Sequence, residues 1–147
     1  MSWSSRPLSR PRSWSVATHV ASAWAWLVAP ACLEPDERPS AWSYVHASIV
    51  APACATAGCH STLAVQAGLD LATMNLAYAE LTGARCGEPL APGAQGAAFV
   101  FAGDPARSKL LWLLRGQQVA RMPPDTPLPS SEIALVERWI WDGAACD

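Results

Sequence analysis

The stretch Cys54-Ala-Thr-Ala-Gly-Cys59-His60 decides how this chain is read. Two thiols followed directly by an imidazole is the arrangement that holds a c-type haem. Each thiol adds to a vinyl group of the porphyrin, and the histidine after the second thiol is carried under the iron as its proximal ligand. The common spacing leaves two residues between the thiols, whereas four separate them here, giving C-x4-C-H. Two other readings compete for the same residues: a local Cys54–Cys59 disulfide beside an unrelated histidine, or zinc held by Cys54, Cys59 and His60. Only the haem reading also requires a distal ligand and an apolar pocket elsewhere in the chain.

The segments downstream of the motif offer both. Arg121-Met122-Pro123-Pro124 places a thioether in a loop stiffened by two prolines, and Pro123 biases Met122 towards an extended backbone. Methionine is often a core gap-filler, but a methionine held between two helices, after a Cys-Cys-His motif, suits the His/Met ligation of cytochromes c. The second candidate distal ligand is His46, on the helix that precedes the motif. Apolar positions at helical spacing supply the pocket walls.

The helices are marked by their ends. Ser40 after Pro39 is the expected N-cap of a first helix carrying Trp42, Val45 and Ile49, with Pro52 ending it before Cys54. Gly68 to Leu71 reads as a loop. Met74 to Leu81 reads as a helix capped by Thr73 and ended near Gly83, with Tyr78 and Leu81 on one face. Gly83 to Gly96, which contains Cys86, is loop. Asp104-Pro105 is a cap followed by proline at the first helical position, opening a helix through Leu110, Leu111 and Leu114 to Gly116. Ser130 is the expected cap of a last helix with Glu132 in its first turn and a stripe of Ile133, Val136, Trp139 and Ile140, ended by Gly143. Strand-like alternation is confined to the residues around Phe99-Val100-Phe101.

Composition bounds the class. The chain has 147 residues, 51% hydrophobic and 15% charged, enough for one modest core and too apolar for disorder throughout. Four of its eight tryptophans fall before residue 30. That region reads as an export signal over residues 1–31: Arg6, Arg10 and Arg12 at the start, an apolar run from Val20 to Val28, then Ala29-Pro30-Ala31. The run is far shorter than the ~20 apolar residues a membrane span needs. Cleavage there would leave Cys32 first, as in bacterial lipoproteins, although Ala29 stands where those sites favour Leu. Both outcomes stay open, a lipid on Cys32 as the one membrane attachment or a soluble exported protein. Residues 32–40 are an acidic, Pro-containing linker and residues 41–147 the domain. After cleavage seven Lys/Arg stand against twelve Asp/Glu, a balance of −5 with no basic run, so nucleic acid is a poor partner.

Five cysteines are present. With Cys32 at the processing site and Cys54 and Cys59 given to haem, Cys86 and Cys146 remain. An exported chain rarely keeps two free thiols in an oxidising compartment, so a Cys86–Cys146 disulfide is expected. Surface thiols, or pairing of one of them with Cys32, are the other outcomes.

Four features occur in order: the helix before Cys54-x4-Cys59-His60, the run Gly103-Asp104-Pro105-Ala-Arg-Ser108-Lys-Leu110, Arg121-Met122-Pro123-Pro124, and Glu132-Ile133 to Trp139-Ile140 closing in Asp142-Gly143-Ala144. Over residues 41–145 the chain resembles the cytochrome c domain of secreted bacterial proteins, the planctomycete-type cytochrome c group in particular. The resemblance implies an all-α fold of about four helices around one covalent haem c. It implies attachment through Cys54 and Cys59, His60 proximal, Met122 distal, and electron transfer rather than enzymatic catalysis. Both axial positions filled leave no open site for substrate, which speaks against a haem peroxidase. The acidic balance suits a redox partner protein presenting basic residues, met at the periplasm or cell surface. The alternative is a haem-free, disulfide-stapled extracytoplasmic lipoprotein or binding module.

Overall fold

The computed structural model describes residues 36–88, 90 and 99–147. The expected export signal, residues 32–35 of the expected linker with Cys32, and residues 89 and 91–98 before Phe99 lie outside those residues. The described chain is helical, with no strand among the described residues. Helix α1 spans 42–53, α2 is Met74–Thr82, α3 is Lys109–Arg115 and α4 is Ser130–Trp141. Short 3-10 turns form at Gln66–Gly68 and Pro105–Arg107.

Helix α1 is α-helical over Trp42–Val45, widens to π geometry over His46–Val50, and returns to α over Ala51–Ala53. In the widened part the Ala51 N–H reaches back five residues to the His46 carbonyl. The helix ends at Ala53, just before Cys54, as the position of Pro52 implied. Proline has no N–H to give, and its ring crowds the carbonyl four residues back, and a locally widened ladder absorbs both. Ser40, however, is not the cap. Its hydroxyl donates to Asp142 at 2.6 Å, and the start of α1 is served from the far end of the chain. Asp147 accepts from the Ser43 N–H at 2.8 Å and from the Ser43 hydroxyl at 2.6 Å.

Helix α2 follows its sequence signals: the Thr73 hydroxyl accepts from the Leu76 N–H, and Gly83 takes φ +75° just past the end. The helix expected from Pro105 to Leu114 is instead two pieces, broken at an extended Ser108. The cause is the Ser108 hydroxyl, fully buried, which donates to the Asp104 carbonyl at 2.8 Å and accepts from the Phe101 N–H at 3.0 Å. Serine competes for backbone groups in this way and stops helices. Asp104 still caps the first turn, accepting from the Arg107 N–H. Ser130 proves to be the first helical residue of α4, after Pro129, and makes no capping bond. Phe99 and Val100 both donate backbone N–H groups to the Leu81 carbonyl, tying that segment to α2 without a ladder.

The core is a triangle of aromatic side chains. Trp42, Tyr78 and Trp139 are each at most 1% exposed. Their ring centroids lie 4.7 Å apart for Trp42–Trp139, 5.7 Å for Trp42–Tyr78 and 6.5 Å for Tyr78–Trp139. Rings of this size bury some 150–250 Å² each, an upper estimate of about 4–6 kcal/mol of transfer free energy apiece. Each polar tip has a backbone acceptor: Trp42 on Met74, Tyr78 on Ala144, Trp139 on Ala145. Leu81, Leu111, Leu135 and Ile140 pack around them.

Two further ties close the domain. Cys86 and Cys146 are disulfide-bonded, their Cα atoms 5.2 Å apart and their positions 60 residues apart in sequence, in line with the sequence expectation. Asp36–Ser40, read as linker, is exposed in part but anchored to α4. Arg38 pairs with Asp36 and reaches Glu132 at 2.5 Å, and Arg138 donates to the Asp36 and Arg38 carbonyls.

Replacing both Cys86 and Cys146 by Ser should lower stability by about 4 kcal/mol in the chain-entropy account, read as a fall in the urea midpoint with oxidised wild type as reference. Asp147→Asn should lower it by up to about 1 kcal/mol, the range of a lost cap. Hydrogen bonds from Ser43 hold the Asp147 carboxyl below the usual aspartate range. Its contribution is thus present above that range and is lost as pH falls through the depressed folded value. The difference in Tm between wild type and Asp147→Asn should shrink on acidification, and a difference that grows at low pH would contradict the cap.

Candidate functional site

Cys54 is the residue at which α1 ends. Its N–H and that of Ala55 both donate to the Val50 carbonyl, at 2.9 and 3.1 Å. The four residues between the thiols then fold into a tight turn, with the Cys59 N–H on the Thr56 carbonyl at 2.9 Å. The His60 N–H returns to the Cys54 carbonyl at 3.1 Å. The two residues beyond the common spacing are thus taken up in an exposed turn, Thr56 to Gly58, and both half-buried thiols face the same cleft.

His60 is held at its backbone and at its ring. Its carbonyl accepts from the Leu71 N–H at 2.8 Å. Its Nδ1 lies 3.1 Å from the Gln66 carbonyl. A carbonyl oxygen only accepts, so Nδ1 carries the proton and Nε2 keeps its lone pair. That is the tautomer a metal-ligating histidine needs, fixed by a backbone partner as such histidines commonly are. The Gln66 carbonyl reaches this position through an unusual backbone: Val65 and Ala67, on either side of it, have φ +42° and +56°, and Gly68 has φ +78°. Left-handed geometry at a β-branched residue is an outlier and costs on the order of 1 kcal/mol or more.

Cys54, Cys59 and His60 line a cleft of about 350 Å³ together with Met122, within the ~300–1,000 Å³ range of small-molecule and cofactor sites. The other walls are Leu69 and Leu71 of the motif loop, Leu81 of α2, Phe99, Leu110, Leu113 and Leu114 of α3, and Pro123 and Pro124. No Asp, Glu, Lys or Arg is among the described lining residues. Met122 arrives there because its N–H donates to the Leu113 carbonyl at 2.8 Å, so the end of α3 carries its loop. The residue is 39% exposed and stands at the cleft's margin. The Met122–Pro123 peptide is cis. Gly116 ends α3 at φ +66°, and a Cβ built there would stand 3.1 Å from Arg121 Cβ, so this loop crosses the helix end closely.

Cys54 and Cys59 are free thiols, not bonded to one another. Burial pushes the Cys54 thiol up to about 11, with Cys59 beside it adding to the rise. Among the described residues no three His, Cys, Asp or Glu side chains converge as for a bound metal ion. Haem c calls for two thiols that add across the porphyrin's vinyl groups, and for an imidazole and a thioether towards iron; Cys54, Cys59, His60 and Met122 are that set, so the donors present fit haem c.

His46, the alternative distal ligand, does not line the cleft. It is buried in α1, with Nε2 3.2 Å from the Leu71 carbonyl. Sequence reasoning missed Gln66 and Phe99 as parts of the site. Gln66 contributes only its backbone, and Gly68 is the one residue of its turn that announces a left-handed backbone. Phe99 reads as strand in the sequence. Comparison of the chain with protein-family models, curated proteins and solved structures finds no match.

Because Gly116 needs a left-handed backbone and a clear Cβ position, Gly116→Ala should destabilise the domain by about 1 kcal/mol or more. The loss should appear in the urea midpoint, and local hydrogen exchange should rise at Met122, whose N–H bond to Leu113 is the next link along.

Proposed function

We propose that this chain is a c-type cytochrome of the family it resembles, an electron carrier that works outside the cytoplasm. The observation that supports this most is the convergence of Cys54, Cys59, His60 and Met122, chosen from sequence, on one uncharged, carbon-lined cleft. Cys54, Cys59, His60 Nε2 and Met122 Sδ would hold haem c there, the two thiols by covalent attachment, and the haem would supply one-electron chemistry at iron. The chain's own residues do the rest. Gln66 keeps the proton on His60 Nδ1, so that Nε2 is the donor. The leucines of α2 and α3, with Phe99, exclude water, and exclusion of water together with a thioether ligand favours the reduced state. With His60 and Met122 both given to the iron, no coordination position would be left for a substrate, which favours carrier over enzyme.

The Cys86–Cys146 disulfide fits an oxidising compartment, in keeping with an export signal over residues 1–31 and with a periplasmic or cell-surface place, lipid-anchored through Cys32 or free. The acidic balance fits a partner with basic residues at its docking face, engaged briefly. The haem-free binding module is the competing reading, since an apolar cleft in a disulfide-closed domain also suits a small apolar ligand.

The test is spectroscopic. Produced in a host with haem-attachment machinery, the wild type should show a reducible haem spectrum with the thioether-to-iron charge-transfer band of the ferric state. Met122→Ala should lose that band, bind carbon monoxide when ferrous, and have a lower reduction potential. A haem-loaded Met122→Ala protein with the band intact would refute Met122 as distal ligand. Wild type without haem absorption would turn the reading to the binding module.

A further inference from the structure

His46 is a buried polar side chain that the proposed chemistry does not use. It sits in the widened part of α1 and is 8% exposed. Its one hydrogen bond runs from Nε2 to the Leu71 carbonyl, 3.2 Å away. The acceptor is a carbonyl, so Nε2 bears the proton. The N–H of the same Leu71 holds the His60 carbonyl at 2.8 Å. Leu71 is therefore a bridge with His46 on one side and His60 on the other.

The loop this bridge closes, residues 60–71, is under backbone strain. Val65, Ala67 and Gly68 all take positive φ, and only the last is glycine. Their turn aims the Gln66 carbonyl at His60 Nδ1, while the Gln66 N–H is held on the Cys59 carbonyl at 3.1 Å. Strained backbone persists only where the surroundings over-determine it. The ends of this loop are fixed by the Leu71–His60 bond, and His46 fixes Leu71 against α1.

We propose that His46 is a positioning residue: by latching Leu71 to α1 it keeps the strained His60–Leu71 loop closed, and so keeps the Gln66 carbonyl on His60 Nδ1 and the lone pair on Nε2. The proposal rests on the reading of His60 as an iron ligand, but its immediate effect is on the tautomer of His60, which is measurable without haem. A histidine that merely fills the core would affect global stability and leave that tautomer alone.

The experiment uses the full chain, with and without haem. In the haem-free chain, the His60 ring-nitrogen chemical shifts report which nitrogen is protonated, and hydrogen exchange reports the Leu71 amide. His46→Phe keeps a ring beside Trp42 and removes the donor. It should speed Leu71 exchange by up to about tenfold, the worth of one net hydrogen bond, and turn His60 from one tautomer into a mixture. His46→Gln, which restores a donor, should return both readouts towards wild type. Val65→Asn relieves the left-handed strain, since asparagine tolerates that region, and should shrink the effect of His46→Phe when the two are combined. If His46→Phe does not fold, His46→Met carries the same prediction. In the haem-loaded chain the reduction potential should shift with the donorless variant and recover with His46→Gln. An unchanged His60 tautomer in the donorless variant, or a His46→Gln protein indistinguishable from it, would overturn the proposal. A tautomer shift in a chain that takes no haem would leave the latch standing and defeat the cytochrome reading instead.

Discussion

The structure depends on three aromatic rings with nowhere to go but inward. Trp42, Tyr78 and Trp139 come from α1, α2 and α4, and their mutual contact sets where those helices lie. Each ring also carries one polar atom that must find an acceptor once buried. Two of the three acceptors, Ala144 and Ala145, belong to the tail after α4. The next residue, Cys146, is bonded to Cys86 just past α2, and Asp147 caps α1. Burial of the rings thus locks the tail in place, and the tail locks the start of α1. The far end of that helix is Cys54, so the position of the motif is inherited from the core.

The candidate cleft lies where this core stops. A domain of this size buries a limited fraction of its surface, and Leu81, which packs in the core, also lines the cleft together with Leu110, Leu113 and Leu114 of α3. On one margin stands the motif loop, closed by backbone bonds at Cys54, Cys59, His60 and Leu71. On another stands the Met122 loop, bound to the end of α3. The two loops bring the reactive groups, and the helices supply the dry wall between them. A rigid scaffold with chemistry on its loops is the usual division of labour.

Much of this was legible in the sequence because it rests on local signals. Thr73 and Gly83 bound α2, Gly116 ends α3, and the apolar spacing of α4 marks Val136, Trp139 and Ile140 as core. The grouping of Cys54, Cys59, His60 and Met122 was legible from chemistry, since each type has a known task at a haem. What escaped the sequence was decided by distant partners. Ser40 has the right residue type for a cap, but Asp142 takes its hydroxyl and Asp147 does the capping. Ser108 reads as an ordinary helical residue, yet its hydroxyl bonds to Asp104 and Phe101 divide the expected helix. His46 reads as a spare ligand, but the bond it makes is to Leu71. None of these outcomes is set by propensity, because each depends on which polar group the fold delivers to that spot.

The central claim is that the two thiols are haem attachment points, and the intact mass of the protein made in a host with haem-attachment machinery tests it most directly. The account predicts an intact mass raised by one haem, carried on the peptide that contains both Cys54 and Cys59, with neither thiol open to alkylation and with Cys86 and Cys146 recovered as a disulfide-linked pair. A mass equal to that of the bare mature chain from a host able to attach haem, with Cys54 and Cys59 both alkylated, would contradict it.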